Sequence, residues 1–301
     1  MPKMREEERK PRRNRRFFFQ TFQASFWFCG KAIAIRNLLY NFKENMKPMT
    51  STFTVLCPQG IVMAADSAAT ERNPLTNEIT KIIPDFRKIY HVSKTGFGIS
   101  CWGQGIIDKK TIMEFLSEFE NSCVEKKDTI DQVAEKLSEK LRNSKPEIQN
   151  RMGLHLAGYF MKDDRAIPQL RHIFHERWNN KGEFTNENCH KEAHLNGKRI
   201  LFKSYAPYPP LFNGDNAIAN CLINFIPAMT NGKQRIQPDL LTLEECIELA
   251  ELVVGTSIKR LNYYVDSESR KVPKTVGGKV LIAKVTPTKG FEWVKDELRS
   301  N

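Results

Sequence analysis

The chain has 301 residues, 40% of them hydrophobic, which is enough to bury a sizeable core in one large domain with appendages. Its formal charge of +12 would suit a negatively charged partner, either nucleic acid or a membrane surface, but the charge is unevenly placed. Residues 1–48 hold 12 Lys and Arg against 4 Asp and Glu, a net of +8, so the rest of the chain nets only +4. The basic character therefore belongs mainly to the N-terminal segment, and the remainder lacks the charge of a nucleic-acid-binding domain.

The first 49 residues differ from the rest in composition. A basic run, RKPRRNRRFFF, leads into the aromatic-rich FFFQTFQASFWFCG, which Lys31 ends; this is too short and too broken to span a bilayer. The acidic run Glu6–Glu8 argues against a transit or twin-arginine signal. We expect residues 1–49 to be a propeptide, or an extension that is never made because translation starts at Met46 or Met49. The predicted folded domain is 50–301.

Seven cysteines lie far apart along the chain, with no CxxC pair. A scattered, odd number in a long chain predicts free thiols in a reducing cytoplasm. Cys189, His190 and His194 have loosely metal-like spacing, but without a second cysteine pair a polar surface insertion is the preferred interpretation. We therefore expect no metal and no cofactor.

The segment from Thr50 onward predicts a β-hairpin. TSTFTVLC and GIVMAAD are rich in strand-forming residues, and Cys57-Pro58-Gln59-Gly60 carries Pro and Gly where a turn favours them. If Cys57 pairs with Gly60, Thr50 faces Ser67, and opposed residues lie about 5 Å apart. The hairpin alone therefore brings the Asp66 carboxylate close to Thr50.

A second hairpin follows in RKIYHVS and FGISCWG, around the turn Lys94-Thr95-Gly96. If Ser93 pairs with Gly96, Lys88 lies opposite Cys101. Gly103 then leaves the other strand at the end where Lys88 enters.

The remaining elements are predicted as helices, strands and helices again. Helices are predicted in IIDKKTIMEFLSEFENSC and in IDQVAEKLSEKLRN, where Thr129 and Gln132 form a capping box, followed by strands in GLHLAGYFMKDD and PQLRHIFHERW. After a poorly patterned stretch over 176–205 come helices in NAIANCLINFI and in the segment opened by Thr242 and Glu245, then strands in GGKVLIAKVTP and GFEWV. This order does not fit parallel βαβ units and predicts two antiparallel sheets with helices outside.

The stretch TSTFTVLCPQGIVMAADSAAT, with KIYHV and GISCWGQGIID, resembles the opening of proteasome β subunits and bacterial ring peptidases, which are N-terminal nucleophile hydrolases. LAGYF, PQLRHI, ECIELAELVV and GGKVLIAKV resemble later elements of that family. The resemblance spans most of 50–290, with insertions near 71–85, 176–205 and 266–275. It implies an α+β fold, a four-layer αββα sandwich of two antiparallel sheets, which the order of elements allows.

The resemblance also implies roles for five residues. Thr50 would be the nucleophile, Asp66 would orient Lys88 and the Thr50 hydroxyl, and the charge of Lys88 would stabilise the alkoxide. The backbone N–H of Gly103 would stabilise the tetrahedral oxyanion. Asp266 is assigned as the supporting carboxylate before Gly-Gly, although it stands about ten residues earlier than in the family.

Thr50 can act only after the residues before it are removed. A threonine hydroxyl needs a base, and an N-terminal α-amine, which titrates near 8, supplies one, whereas an internal threonine carries a non-basic amide.

Three departures from the family pattern leave alternatives open. Lys81 competes with Lys88, which stands 22 residues after Asp66, although only Lys88 has the family's step to Gly103. Asn213-Gly214-Asp215 stands where the family has a Gly-Ser-Gly turn. Without a gap, Leu261 falls at the position assigned to Asp266.

The predicted function is a cytoplasmic threonine peptidase that cleaves peptides or unfolded proteins within a homo-oligomeric ring. Apolar contacts between subunits are expected from helices 109–122 and 129–142. No membrane or nucleic-acid partner is expected, and an ATPase partner is left open. A catalytically silent ring subunit and a non-peptidase amidohydrolase are the alternatives, with a nucleic-acid binder acting through the basic arm as a third. A free Thr50 would separate either hydrolase from the silent subunit, and a salt-dependent shift with DNA would reveal the third.

Overall fold

The chain divides into two compact units, Met1–Met46 and Lys47–Asn301, and the second contains every element described below. The computed structural model describes residues 50–73, 76, 78–144, 152–162, 165–175, 184–188, 194–195, 198–199, 210–214, 217–230, 233, 236–263 and 275–298. The predicted boundary between 49 and 50 stays a prediction.

The described residues contain sixteen strands, five α-helices, a π-helical segment and a 3₁₀ turn. The strands are β1 (Ser51–Cys57), β2 (Gly60–Asp66), β3 (Ala69–Arg72), β4 (Ile79–Ile83), β5 (Ile89–Val92), β6 (Phe97–Gly103), β7 (Ile106–Ile107), β8 (Lys110–Thr111), β9 (Met152–Lys162), β10 (Arg165–His175), β11 (Phe184–Asn188), β12 (His194–Leu195), β13 (Lys198–Arg199), β14 (Leu211–Gly214), β15 (Val280–Thr286) and β16 (Gly290–Lys295). The α-helices are α1 (Ile112–Cys123), α2 (Ile130–Asn143), α3 (Ala217–Asn220), α4 (Ile226–Met229) and α5 (Leu243–Arg260), with a π-helical segment, Cys221–Phe225, between α3 and α4 and a 3₁₀ turn at Pro238–Leu240.

The first sheet has five strands in the order β14-β1-β2-β15-β16. Its central hairpin has the predicted register, since Cys57 pairs with Gly60 and Thr52 with Ala65. All residues of β1 and β2 are buried, which explains their nearly continuous run of apolar and small side chains. The strand after the Gly-Gly pair and its partner in GFEWV are confirmed as β15 and β16.

The second sheet also has five strands, in the order β11-β10-β9-β6-β5. The predicted hairpin is confirmed, because Val92 pairs with Phe97 and Ile89 with Ser100. The backbone N–H of Cys101 donates to the Lys88 carbonyl at 2.8 Å, so these two residues are opposed as expected. Every strand pairing in the described part of the chain is antiparallel.

Three capping boxes start the long helices. The predicted boxes Thr129–Gln132 and Thr242–Glu245 are both formed, and Thr111–Glu114 forms a third at the start of α1. In each, the threonine hydroxyl accepts from the third backbone N–H while the acid or amide accepts from the cap. The start of each helix is thus fixed by its own residues.

Buried apolar residues form three clusters. One joins α1 and α2 to the second sheet through side chains such as Phe115, Leu137 and Ile99. Another joins α5 to the first sheet, and the last contains residues of both sheets, including Met63 and Ala157. The α+β class with antiparallel sheets is therefore confirmed.

A buried carboxylate locks α1 to the second hairpin. Glu120 accepts hydrogen bonds from the hydroxyls of Tyr90 and Ser93, each at 2.6 Å, and from the backbone N–H of Lys94 at 2.9 Å. The Lys94 ammonium donates to the carbonyls of Glu120 and Val124 at the end of the helix. Burial acts to raise the pKa of Glu120, but the hydrogen bonds from Ser93, Tyr90 and the Lys94 amide together outweigh it and hold that pKa below its usual range. Burial, helped by the hydrogen bond to Glu120, raises the pKa of Tyr90.

Two small hairpins are absent from the sequence prediction. The insertion near 71–85, for which no element was predicted, contains β4 and the end of β3, and these two strands pair with each other. The start of the predicted first helix, at Ile106, is instead the β7–β8 hairpin, whose turn residues Asp108 and Lys109 have φ of 50° and 64°. Both hairpins are too short for a clear alternation of apolar and polar residues.

No helix among the described residues is long and apolar enough to cross a membrane. Five of the seven cysteines fall within the described ranges, and all five are free thiols (Cys57, Cys101, Cys123, Cys221 and Cys246). The candidate metal residues Cys189 and His190 lie outside the described residues.

Candidate active site

The candidate site is built around the carboxylate of Asp66, at the end of β2. Asp66 is fully buried. Its Oδ1 accepts from the backbone N–H of Ser51 at 2.8 Å and from the Lys88 ammonium at 2.7 Å. Its Oδ2 accepts from the backbone N–H groups of Ala68 and Gly277, at 3.2 and 3.0 Å. With four donors around it, the carboxylate has its charge compensated and its orientation fixed.

Lys88 is 3% exposed, and Asp66 is its ion-pair partner. Burial lowers the pKa of the Lys88 ammonium from its ordinary value, while the charge of Asp66 and their hydrogen bond oppose that change. The rival Lys81 lies on β4 with a side chain that is 64% exposed, near Glu71. The structure therefore brings Lys88, and not Lys81, to Asp66.

Thr50 lies one residue before the amide that donates to Asp66, and it is 2% exposed in the full-length chain. The backbone of Gly214, at the end of β14, presses against its carbonyl: a Cβ atom on Gly214 would fall 1.9 Å from the Thr50 oxygen. Gly214 also has φ of +82°, so a glycine is required there on two grounds. The main chain of Thr50 is thus held between β2 and β14.

The turn that carries Gly277 is tied to Ser67, next to Asp66. The Ser67 backbone N–H donates to the Gly277 carbonyl at 3.2 Å, and the Lys279 N–H donates to the Ser67 hydroxyl at 2.8 Å. That hydroxyl in turn donates to the Pro84 carbonyl. Ser67 therefore holds the Gly277 amide where it reaches Asp66, a role that the sequence analysis missed. The Gly-Gly pair that precedes β15 was the sequence feature that could have indicated this contact.

Gly103 ends β6, two residues beyond the one opposite Lys88, and pairs with Met152 on β9. Gly103 therefore lies at the same end of the β5–β6 hairpin as Lys88, as expected from the predicted register. Its function as an oxyanion donor stays a prediction. Asp266 and Asp215 lie outside the described residues, and the role assigned to Asp266 also stays a prediction.

A buried histidine near the site was also missed. His155, on β9, is fully buried, with its Nδ1 3.0 Å from the Thr54 hydroxyl and its Nε2 2.6 Å from Asn213 Oδ1. Burial lowers the pKa of His155 to about 4. Asn213 immediately precedes Gly214, so His155 is linked to the strand end that touches Thr50. HLAG reads as an ordinary strand, and only the tertiary pairing of the sheets reveals the contact.

Within the described ranges, no group of three or more His, Cys, Asp or Glu side chains could hold a metal ion. The chemistry available at the site is that of a hydroxyl, a carboxylate, an ammonium and backbone amides. Such groups serve nucleophilic attack on a carbonyl and stabilisation of the negative charge that develops.

Comparisons with known proteins give little further information. No family model matches the chain, and no curated protein matches it. Among solved structures the chain is similar to Anbu (Gly-1) mutant from Hyphomicrobium sp. strain MC1, with 13% sequence identity and a TM-score of 0.47 over 82% of this chain and 88% of that chain. A TM-score below 0.5 supports no inference about activity or ancestry.

The assignment to the family of proteasome β subunits and bacterial ring peptidases is therefore wrong, because no family model or curated relative supports it. The short motifs that suggested it have a physical explanation of their own. Hairpin register alone places a carboxylate beside the strand start fifteen residues earlier. That geometry does not define a family.

Proposed function

We propose that the chain is a hydrolase of amide bonds, a threonine-type peptidase whose nucleophile is the hydroxyl of Thr50 after residues 1–49 are removed. The observation that carries the proposal is the buried ion pair of Asp66 and Lys88. The Asp66 oxygen that accepts from Lys88, Oδ1, also accepts from the backbone N–H of Ser51. A buried ion pair is costly to maintain, and this one is attached directly to the residue that follows Thr50. A buried lysine with a lowered pKa, as Lys88 has, is typical of functional sites.

The base in this mechanism is the α-amine of Thr50. With an ordinary pKa near 8, the neutral amine is available close to neutral pH, and it takes the proton of the Thr50 hydroxyl as the oxygen attacks the substrate carbonyl carbon. The proton then passes to the departing amine, the amide C–N bond breaks, and the acyl group remains as an ester on Thr50. Attack by water, with the same amine as base, breaks the ester and restores the hydroxyl.

Lys88 provides positive charge in this scheme. Its hydrogen bond to Asp66 keeps the ammonium oriented, and Lys88 is buried, so its attraction for a developing alkoxide is stronger than in water. Because burial lowers the pKa of Lys88, the charge is lost at a lower pH than for an exposed lysine. Activity should therefore rise with deprotonation of the α-amine and fall as Lys88 loses its proton.

The layer order helix–sheet–sheet–helix and a cytoplasmic location are part of the same proposal. The three apolar clusters support the layer order, and the free thiols of the described cysteines support a reducing compartment. Self-association that encloses Thr50 would protect other proteins from its attack. Among the described residues, the large exposed apolar side chains, for example Leu240 and Leu252, lie outside α1 and α2. A contact between subunits would therefore use a surface other than the two helices predicted from the sequence.

The test is made on the full chain, folded first and then cut before Thr50 by a site-specific protease whose recognition sequence replaces residues 44–49. We expect hydrolysis of short fluorogenic peptides and labelling of Thr50 by an acylating probe, located by mass spectrometry. Thr50→Ala should abolish both, and Thr50→Ser, which keeps a hydroxyl, should retain labelling.

The matched control is a chain cut to begin at Met49. It keeps the hydroxyl of Thr50 but turns its amine into an amide, so neither hydrolysis nor labelling should occur. Equal activity in the chains that begin at Met49 and at Thr50 would disprove the role of the amine. Activity in Thr50→Ala would disprove the nucleophile.

A further inference from the structure

One buried set of hydrogen bonds connects the second sheet to two strands of the first. His155 on β9 contacts the Thr54 hydroxyl on β1 at 3.0 Å through Nδ1 and the Asn213 side chain on β14 at 2.6 Å through Nε2. His155 is fully buried, and Thr54 is too. Since polar groups in such a position are costly unless they are satisfied, the arrangement constrains all three side chains.

The direction of these hydrogen bonds follows from the donors available. The His155 ring is neutral, because burial lowers its pKa to about 4, so one nitrogen donates and the other accepts. The Asn213 oxygen can only accept, which assigns the proton to Nε2. Nδ1 then accepts from the Thr54 hydroxyl, and each contact has one donor and one acceptor.

Besides its bond to His155, the end of β14 is held by its pairing with β1 and by the Thr52 hydroxyl, which donates to the Asn213 carbonyl at 3.5 Å. β14 is a four-residue edge strand whose one partner in the sheet is β1, and the ends of short edge strands open most easily. In its register, Asn213 pairs with Thr52 and Gly214 with Ser51. The contact of Gly214 with the Thr50 carbonyl therefore depends on where Asn213 is held.

We propose that His155 is a positioning residue for Thr50, acting through its Nε2–H bond to Asn213, which holds Gly214 against the backbone of the nucleophile. The inference rests on the proposed function, in which Thr50 attacks an amide. His155 itself touches neither the substrate nor the reacting atoms.

Two substitutions of His155 separate this role from mere filling of the core. An asparagine amide lies as far out as Nδ1 and keeps the contact with Thr54, whereas a glutamine amide reaches as far as Nε2 and keeps the contact with Asn213. We expect His155→Gln to retain kcat within about threefold and His155→Asn to lower kcat about 10- to 100-fold with little change in KM, since misplacement of about 1 Å can cost about 100-fold. The rate of acylation of Thr50 by the probe should fall in parallel with kcat.

The matched control is His172→Asn, the same change at the residue that pairs with His155 across the strands. His172 lies 5.1 Å away between ring centroids, and its Nε2 is buried with no hydrogen-bond partner among the described residues. The His172→Asn variant should have a lower melting temperature than the wild type and an unchanged kcat. If His155→Asn does not fold, Asn213→Ala removes the same bond from its half-buried partner and should show the same loss of kcat.

The outcomes are distinguishable. If the wild-type chain cut before Thr50 is neither active nor acylated, the proposed function fails and this inference with it. Suppose instead that the wild-type chain is acylated. The positioning role alone is then overturned if His155→Asn (or Asn213→Ala) is acylated at the wild-type rate, or if kcat falls equally in His155→Gln and His155→Asn. The positioning role is supported if His155→Gln retains kcat and His155→Asn loses it.

Discussion

Replacing His155 should flatten the dependence of stability on pH below neutrality. The pKa of His155 is lowered from 6.5 to about 4 in the folded chain, because its burial disfavours the charged ring. Above pH 6.5 the ring is neutral in both states and contributes no pH dependence. Between pH 6.5 and 4 the unfolded chain binds a proton that the folded chain does not, so stability falls as the pH falls.

The size of this effect follows from the shift. Each unit of pKa difference corresponds to about 1.4 kcal/mol, and a difference of about 2.5 units lowers the free energy of unfolding by about 3 kcal/mol between pH 7 and pH 4. That is a large share of the stability of an ordinary domain, about 5–15 kcal/mol. The pKa of the neighbouring His172 is lowered to about 3 by burial and then by His155, so it adds a loss of the same sign.

The assay is urea unfolding of the wild-type chain and of His155→Gln at a series of pH values from 7 to 4. Carboxylates with lowered pKa values, such as Glu120, also lose stabilising contacts on acidification, so the informative quantity is the difference between the two curves. We expect His155→Gln to lose about 3 kcal/mol less than the wild type over this range. Curves that stay parallel to within about 0.5 kcal/mol would refute the buried, neutral state of the ring.

Three further predictions concern activity and stability. Lys88→Met should lower kcat about 1000-fold by removing the charge beside Asp66, as peptide assays would show, while the exposed Lys81→Met should leave kcat unchanged. Gly214→Ala should cost well over 2 kcal/mol in urea unfolding because its Cβ would meet a backbone oxygen, whereas Gly96→Ala, with a similar φ of +75° but its nearest neighbour at 3.6 Å, should cost about 1–2 kcal/mol. Glu120→Gln should lower the free energy of unfolding by about 2 kcal/mol, since the amide accepts at one oxygen where the carboxylate accepts at two, and an unchanged urea midpoint would contradict this.

Much of the fold was accessible from local patterns in the sequence. The turn at Cys57–Gly60 fixed the register of the first hairpin, and register placed Asp66 at the right end of its strand. Helix starts at Thr129 and Thr242 were equally predictable, because a capping box is satisfied within four residues. These features need no knowledge of distant parts of the chain.

The rest depended on contacts that local patterns cannot report. β14 was not predicted, since FNGDNA reads as a turn and becomes a strand only by pairing with β1. The contact of His155 with Asn213 joins residues 58 positions apart, and the amide of Gly277 reaches Asp66 across 211 positions. The family assignment failed for the opposite reason, because a geometry that any hairpin can produce was treated as evidence of descent.

The long-range contact at Asp66 has a consequence for the order of events during synthesis. The Gly277 amide and the β15 strand that pairs with β2 come from the last part of the chain. A nascent chain that has emerged only as far as α5 therefore has Thr50, Asp66 and Lys88 but lacks one of the four donors and a neighbouring strand. The carboxylate has its full set of donors only after the last strands leave the ribosome, so the reactive centre stays incomplete while other unfolded segments of the same chain are still exposed.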